Sequence, residues 1–426
     1  MIELNKKKIK VLTLGDHPLA PSGVGTQTRY VIEALLKTGK FEVISLGGAI
    51  KHQSYEPIRL ERWAGDWTIY PVDDYGNHDI VRSVMRTHRP DIVWIMTDPR
   101  FWGWLWQIEN EIRAVAPLVY YHVWDNYPYP MFNKRFYESN DVIASISKVT
   151  YDIVNNVTPS VANFYVPHSV DTEIFKKLDP EEVATFRKQN LPKEASSDRM
   201  IFFWNNRNAR RKQSGTLIYW FNTFLDKIGR DKACLIMHTD SKDPNGQDLA
   251  AIIRELGADQ GEVLLSQDKM PQEGLSMMYN MADCTINCSD AEGFGLATLE
   301  SLACETPIIV TMTGGLQEQV TDGEEWFGIG MDPVSKSVIG SQSVPYIYED
   351  RLSEEVFVNA LVEFYNMEKD RRSRMGEAGR GHVLANYNFN DFENKWVELL
   401  TGIHDAGGSW KNRKNYNSWK LTEVLK

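Results

Sequence analysis

Residues 284–311, CTINCSDAEGFGLATLESLACETPIIVT, combine the signals of a strand, a glycine-rich turn, a helix and a second strand. The run CTINCS predicts the first strand, LATLESLAC the helix and PIIVT the second strand. Two strands joined by a helix form a βαβ unit, and parallel sheets are built from such units. The stretch therefore predicts a parallel α/β fold.

The turn inside this stretch has the features of a ligand site. In open α/β sheets, ligands bind beyond the carboxyl ends of the strands, where loops lead into helix N-termini. Gly293 and Gly295 let the backbone approach a ligand, and the free N–H groups at the helix start favour phosphate. If the helix begins near Gly295, Glu292 and Glu300 lie on the order of 12 Å apart, at about 1.5 Å per residue. A loop glutamate and a surface helix glutamate without a ligand remain the alternative.

That separation decides what the two carboxylates can do together. Paired carboxyl groups that act on one glycosidic bond lie roughly 5 to 9.5 Å apart, so Glu292 and Glu300 are too distant for this chemistry. They suit a long ligand that has hydroxyl groups at both ends and phosphate in the middle. A nucleotide-diphosphate sugar has this form.

The α/β pattern occurs in both halves of the chain. IKVLTLG, TRYVIEALLKTG and FEVISLG form a first strand–helix–strand series, and RMIFFWNN begins a second series after a polar connector. The pattern predicts five segments: an N-terminal Rossmann-like domain (1–175), a linker (176–197), a C-terminal Rossmann-like domain (198–385), a C-terminal helix (386–402) and a polar, mildly basic tail (403–426).

The composition is that of an ordinary globular protein with 426 residues, 42% hydrophobic and 25% charged. Basic and acidic residues balance over residues 1–170, so the whole net charge of −11 belongs to the remainder of the chain. The first half can therefore still bind an anionic partner.

No membrane span or secretory signal is recognisable, which predicts a cytoplasmic protein. Four cysteines without CxxC spacing predict buried thiols in a reducing compartment: Cys234, Cys284, Cys288 and Cys304.

Several motifs in order resemble one known family. Glu292 and Glu300 around GFGLATL, followed by ETPIIVTMTGGLQEQVTDG, resemble the E-x7-E signature of the GT-B glycosyltransferases of family 4, also called glycosyl transferases group 1. PSGVGTQTRYVIEALLKTGKFEV (21–43) looks like the family's N-terminal glycine loop and first helix. PHSVDTEIF (167–175) resembles its interdomain segment, and NRNARRK (206–212) its Arg-x4-Lys pair. These motifs extend over nearly the whole chain.

The resemblance implies a fold and an activity. The fold is GT-B, with two Rossmann-like parallel-sheet domains facing a cleft and a C-terminal helix that returns to the N-terminal domain. The resemblance implies that residues 1–175 are the acceptor domain, residues 198–385 the nucleotide-sugar domain and residues 386–402 a crossover helix. The activity is retaining transfer of a sugar from a nucleotide-diphosphate sugar to an acceptor hydroxyl. No D-x-D metal motif is present, and DSKDPNGQD only partly matches a calcium loop, so we expect no cofactor and no metal.

The resemblance also assigns roles to residues. Arg207 and Lys212 neutralise the leaving diphosphate, where positive charge contributes most in the transition state. Glu292 holds sugar hydroxyls and Glu300 the ribose, whereas a solvated basic loop is the alternative for Arg207 and Lys212. The expected donor-binding residues are Gly23, Gly25, Arg207, Lys212, Glu292, Gly293, Phe294, Gly295, Leu296 and Glu300. The expected catalytic residues are His122, Asp125, Arg207, Lys212 and Glu292.

The acceptor is less well defined by the sequence. YYHVWDNYPYP (120–130) places His122 and Asp125 on a predicted loop, where either could orient the acceptor hydroxyl, but a core histidine is an equal alternative. We expect a nucleotide-sugar donor and a glycan, lipid or small-molecule acceptor. A hydroxymethylated DNA base is an alternative acceptor, based on Lys6 to Lys8, Lys10 and the basic tail. A non-catalytic nucleotide-sugar binding module is the alternative of another class.

Overall fold

The computed structural model describes residues 7–192 and 199–419, so Lys6, the end of the predicted linker (193–197) and the end of the predicted tail (420–426) lie outside the described residues. The chain divides into two compact units. Unit 1 comprises residues 1–124, 129–168 and 390–426, and unit 2 comprises residues 125–128 and 169–389.

Unit 1 is built on an eight-stranded sheet with the order β3-β4-β2-β1-β5-β6-β7-β8. Every neighbouring pair is parallel except β3 and β4, which are antiparallel. Its strands are β1 (Ile9–Asp16), β2 (Phe41–Gly48), β3 (Ile58–Arg59), β4 (Trp67–Pro71), β5 (Ile92–Met96), β6 (Leu118–His122), β7 (Val142–Ser145) and β8 (Ala162–Tyr165). Strands β5 and β6 are buried along their whole length and β1 over its central residues, because helices cover both faces of such a sheet.

The helices of unit 1 connect these strands, and the last one closes the chain. They are α1 (Gly23–Lys37), α2 (His78–His88), α3 (Gly103–Trp106), α4 (Glu109–Arg113), α5 (Lys134–Glu138), α6 (Lys148–Val157) and α15 (Phe389–Gly407). Trp396 of α15 packs edge-on against Trp94 and Tyr121 of the sheet, with ring centroids 5.8 and 4.7 Å apart. This buried aromatic contact explains why the end of the chain belongs to unit 1.

Unit 2 contains a six-stranded, fully parallel sheet with the order β11-β10-β9-β12-β13-β14. Its strands are β9 (Met200–Asn205), β10 (Ala233–His238), β11 (Val263–Ser266), β12 (Cys284–Asn287), β13 (Ile308–Thr311) and β14 (Gly328–Met331). Its helices are α7 (Pro180–Asn190), α8 (Ser214–Ile228), α9 (Leu249–Glu255), α10 (Gln272–Met281), α11 (Leu296–Ala303), α12 (Gln317–Val320), α13 (Glu354–Asn366) and α14 (Lys369–Asn386). An aromatic cluster of Phe202, Phe221, Phe224 and Phe364 lies between the sheet and helices α8 and α13.

A separate antiparallel hairpin completes unit 2. It consists of β15 (Ser335–Ile339) and β16 (Ile347–Arg351), and it follows β14 directly. The sequence did not predict this hairpin, nor the short strands β3, β4 and β14. The hairpin lacks the apolar alternation by which strands are recognised, because β15 (SKSVI) is largely polar and exposed and the second buried position of β16 (IYEDR) is Glu349.

The observed unit boundaries differ from the predicted ones. Unit 2 begins at Ser169 rather than after residue 175, because Ser169 Oγ donates to Tyr387 O (2.7 Å) and Phe175 is buried beside Tyr279. Residues 125–128 also belong to unit 2. Helix α15 continues to Gly407, beyond the predicted end at 402.

Residues 408–419, which follow α15, make specific contacts with the rest of unit 1. Ser409 Oγ donates to Asp91 (2.6 Å), and Arg413 donates to Asp141 (2.6 Å). Within residues 7–192 and 199–419, no helix has the length and apolar character needed to cross a membrane. All four cysteines are buried free thiols, as predicted.

Candidate active site

The turn between β12 and α11 has the geometry that its glycines predict. Gly295 precedes the first residue of α11 with φ of 93°, a left-handed conformation that other residues rarely adopt. A Cβ atom there would lie 2.6 Å from Leu316 and 2.7 Å from Thr298. Gln319 Nε2 donates to the Phe294 carbonyl at 2.7 Å, which fixes the turn from the other side. Helix α11 therefore begins where the spacing argument required, and Glu300 lies in its second turn.

A second pair of glycines supports Glu292. The Gly315 N–H donates to the Glu292 carbonyl at 3.0 Å, and a Cβ atom on Gly314 would lie only 1.8 Å from that oxygen. The sequence contained these glycines in MTGGL but gave them no function. Their physical role is to let two backbone segments approach so closely that Glu292 has one available position.

Lys212 and Glu292 form a buried ion pair. The Lys212 ammonium donates to Glu292 Oε2, and the two residues are only 7% and 8% exposed. Lys212 ends a short 3-10 turn that starts at Arg210, and the turn brings it to Glu292 although 80 residues separate them in the chain. The structure therefore brings together two of the predicted site residues.

Both members of this pair are charged at neutral pH. Burial alone would raise the pKa of Glu292, but the charges of Lys212 and Arg211 outweigh it and lower that pKa. Burial and the neighbouring Arg211 lower the pKa of Lys212 to about 8, against the opposing effect of Glu292. Arg211 Nη1 lies 3.9 Å from Glu292 Oε2 and also donates to the Ala291 carbonyl. Two cations thus share one carboxylate, and the surplus positive charge favours an anion.

Arg207 is the other predicted diphosphate ligand. It contacts the carboxylate of Asp243, a partner that the sequence did not predict. Its guanidinium forms a bidentate pair with Asp243, with N–O distances of 2.6 and 3.2 Å. The pair lowers the pKa of Asp243 to about 2. Asp243 belongs to the DSKDPNGQD loop, so the structure gives this calcium-like segment the function of holding Arg207.

Glu300 accepts a hydrogen bond from a buried phenol. Tyr279 Oη donates to Glu300 Oε2 at 2.6 Å and accepts from Asn205 Nδ2 at 2.8 Å. Burial raises the pKa of Glu300 to about 7, and the Tyr279 hydrogen bond only partly opposes that rise. Glu292 and Glu300 are therefore in different electrostatic environments, one fixed as an anion and the other titrating near neutral pH.

His122 and Asp125 belong to different units. His122 has no exposed surface, its Nε2 contacts Tyr137 Oη at 2.8 Å, and burial lowers its pKa to about 3. It is a neutral core residue of unit 1, which is the alternative that the sequence left open, and it does not reach a surface where an acceptor could bind. Asp125 belongs to unit 2, where its charge acts on Lys212. Asp125 is therefore the member of this predicted pair that belongs to the same unit as Lys212 and Glu292.

The glycine loop of unit 1 leads into α1. Ser22 Oγ caps the helix by accepting from the Gly25 N–H at 3.0 Å, and it donates to Asp16 at 2.8 Å. A Cβ atom on Gly25 would lie 2.8 Å from two carbonyl oxygens, so the turn itself requires glycine there. Gly23 is exposed at the first position of α1. The loop geometry agrees with both a structural and a binding role for these glycines.

Three cations of the basic clusters that suggested nucleic acid form ion pairs. Lys8 pairs with Asp66 at 2.5 Å, Lys10 with Glu42 at 3.5 Å, and Arg413 with Asp141 at 2.6 Å. The charge of each of these three is therefore already balanced by a carboxylate of unit 1. Among the described residues, no group of three or more His, Cys, Asp or Glu side chains has an arrangement that could hold a metal ion.

The chain is similar in sequence to known proteins, mainly over a part of unit 2. Residues 251–382, which contain the β12–α11 turn, match the family model described as glycosyl transferases group 1. A D-inositol 3-phosphate glycosyltransferase of Acidothermus cellulolyticus is 40% identical over 84 residues, 19% of each chain. A GDP-mannose-dependent alpha-(1-6)-phosphatidylinositol monomannoside mannosyltransferase of Mycolicibacterium smegmatis is 25% identical over 281 residues. That alignment covers 64% of this chain and 65% of the relative, so the chain matches less than two thirds of the length of either relative.

Similarity to solved structures extends over nearly the whole chain. A sucrose-phosphate synthase from Thermosynechococcus elongatus superposes with a TM-score of 0.74 at 16% identity, covering 93% of this chain and 100% of the other. Anabaena Alr3699/HepE in complex with UDP and glucose gives 0.67 at 15% identity, covering 92% and 100%. At these identities the likeness establishes the fold. The chain therefore has the GT-B fold, and its residues 251–382 are similar to glycosyl transferases group 1.

Proposed function

We propose that this protein is a retaining, metal-independent glycosyltransferase of family 4 that transfers a sugar from a nucleotide-diphosphate sugar to an acceptor hydroxyl. The observation that carries the proposal is the buried Lys212–Glu292 pair beside the N-terminus of α11, with Arg211 as a second cation. Helix N-H groups and surplus positive charge at one place suit a diphosphate.

The two glutamates then bind the two ends of the donor. Glu292 stays ionised and accepts hydrogen bonds from sugar hydroxyls, and Glu300, in the second turn of α11, accepts from the ribose. During transfer the charge on the diphosphate grows as the glycosidic bond breaks, and Lys212 and Arg207 stabilise that charge. The leaving diphosphate helps to take the acceptor proton on the same face, which preserves the anomeric configuration.

The names of the relatives indicate which acceptors to test first. Those relatives are named for D-inositol 3-phosphate and for a phosphatidylinositol mannoside, which are a small molecule and a lipid. We propose a glycan, lipid or small-molecule acceptor, with unit 1 contributing to its site, and cytoplasmic action on it.

A donor screen tests the proposal. Thermal unfolding of the full chain is measured with UDP-, GDP-, ADP- and TDP-sugars in EDTA. The matching donor should stabilise the folded chain by about 2.7 kcal/mol at 100 times its Kd.

Transfer to inositol phosphate, phosphoinositide and oligosaccharide acceptors is then followed by NMR of the anomeric proton, with Lys212→Met as the inactive control. An inverted product contradicts retention, and the absence of any donor binding contradicts the proposed activity.

A further inference from the structure

The hairpin formed by β15 and β16 lies against the loops that carry the candidate donor site. Its outer strand is solvent-facing, with Val338 69% exposed, whereas Glu349 of the inner strand is 4% exposed. The Asp350 N–H donates to the Asp290 carbonyl at 3.0 Å, which attaches the hairpin to the loop that leads to Glu292. Strand β16 of the hairpin therefore packs against the candidate donor site, whereas β15 faces the solvent.

Two ion pairs connect the hairpin with the basic loop 207–213 and the Asp290 loop. Arg210 forms a bidentate pair with Glu349, with N–O distances of 2.8 and 2.7 Å. Arg351 lies 2.5 Å from the Asp290 carboxylate, which also accepts a 2.6 Å hydrogen bond from Gln213. Bidentate arginine–carboxylate pairs fix orientation as well as distance. The hairpin thus holds both ends of the 3-10 turn that delivers Lys212 to Glu292.

The same strand also holds the segment that contains Asp125. The Tyr348 N–H donates to the Tyr127 carbonyl at 2.9 Å, and Asn126 Nδ2 donates to the Tyr348 carbonyl at 3.3 Å. These contacts explain why residues 125–128 belong to unit 2, although their neighbours on both sides belong to unit 1. Strand β16 therefore fixes three parts of the site: the basic loop, the Asp290 loop and the Asp125 segment.

The cations of NRNARRK differ in the carboxylates that they contact. Arg210 is held by Glu349, so its charge is balanced outside the donor site. Arg211 and Lys212 share Glu292 and keep a surplus charge there. An Arg210 released from Glu349 would add a mobile cation beside the diphosphate and would remove the support of the turn.

We propose that the β15–β16 hairpin is a positioning element for sugar transfer, in which Glu349 and Arg351 fix the Lys212 turn and the Asp125 segment in one arrangement. The inference rests on the proposed function and deepens it. Glu349 and Arg210 act through other residues, and their loss affects the geometry of the reacting groups more than the binding of the nucleotide. A displacement of about 1 Å in such a site costs on the order of 100-fold in rate.

A double-mutant cycle on the Arg210–Glu349 pair tests this proposal. Glu349→Gln, Arg210→Gln and the double variant are compared for kcat, donor KM and the Kd of the nucleoside diphosphate. We expect each single variant to lose about tenfold or more in kcat while the Kd changes less than about threefold. The double variant should be no slower than either single one, because both changes remove the same contact. Glu355→Gln, on the exposed face of α13, is the matched control and should keep the wild-type kcat.

The outcomes separate this proposal from the proposed function. If the wild-type chain binds no nucleoside diphosphate and transfers no sugar, the proposed function fails. If the wild type is active but the single variants keep kcat, or if their losses add in the double variant, only the role of the hairpin fails. Should Glu349→Gln not fold, Arg210→Gln still decides, since its side chain is 60% exposed.

Discussion

Tyr279 donates a 2.6 Å hydrogen bond to Glu300, and both groups lie where burial disfavours the charged carboxylate. Asn205 in turn donates to the Tyr279 oxygen at 2.8 Å, so the three side chains form one chain of hydrogen bonds from β9 to α11. This arrangement orients Glu300, whose pKa burial raises to about 7 against the opposing effect of the Tyr279 hydrogen bond. A residue expected to bind ribose is therefore also the one whose charge changes near physiological pH.

The first prediction concerns the pH dependence of donor binding. A protonated Glu300 accepts fewer hydrogen bonds, so the donor KM should rise as the pH falls below about 7, the folded-state pKa. Glu300→Gln should have a raised KM without this pH dependence. Steady-state kinetics between about pH 5.5 and 8.5 measure both effects, and an unchanged profile in the variant would assign the titration to another group.

Stability should show the opposite sign. Between the ordinary pKa of 4.5 and the folded value of about 7, the folded state keeps a proton that the unfolded state has lost. The contribution of this group to stability therefore falls as the pH rises through that interval. The melting temperature of Glu300→Gln should therefore increase relative to that of the wild type as the pH rises. Calorimetry at several pH values measures this difference.

The second prediction separates folding from catalysis at the buried ion pair. Lys212→Met removes the nearer of the two cations that balance the buried Glu292 and leaves only Arg211, 3.9 Å away, so it should cost up to about 3–5 kcal/mol of stability. It should also lower kcat by about 100-fold or more, because the leaving diphosphate loses its cation. The double variant Lys212→Met/Glu292→Gln should recover much of the stability in urea unfolding and none of the activity. Recovery of activity would show that the pair is only structural.

The third prediction uses the Arg207–Asp243 contact. Asp243 competes with a diphosphate for Arg207, so Asp243→Asn should tighten nucleoside diphosphate binding by up to about fivefold, and Arg207→Gln should weaken it. Both variants should change the free energy of unfolding by less than about 1 kcal/mol, since the arginine is 64% exposed. Asp231→Asn, at the exposed pair with Lys232, is the matched control in calorimetric titration. Equal affinities in all three variants would exclude Arg207 from the donor site.

The fourth prediction compares two glycines with left-handed backbones. Gly314 has φ of 50° and no room for a Cβ beside Glu292, whereas Gly323 has φ of 103° and no atom within 4 Å of an added Cβ. Alanine at either position should cost roughly 1–2 kcal/mol for the backbone conformation. Only Gly314→Ala should displace Glu292 and lower kcat by more than about tenfold. Equal activities would mean that the close approach does not position Glu292.

The sequence by itself determined the fold class, the two α/β halves and the start of α11. These features depend on local signals: apolar runs of strand length, helical periodicity and a glycine before a helix. It also determined that Glu292 and Glu300 lie on one strand–helix connection, because only eight residues separate them. The resemblance of NRNARRK and the E-x7-E segment to one family then predicted that Arg207 and Lys212 belong to the same donor site as the two glutamates.

Only the tertiary structure decided how the charges are paired. Lys212 meets Glu292 across 80 residues and Arg210 meets Glu349 across 139, distances over which no local pattern operates. Burial decided that His122 is a neutral core residue and that Glu300 titrates near pH 7, because desolvation depends on what packs around a group. The sequence supplies the charged groups, and the packing of distant segments determines which of them remain available for a ligand.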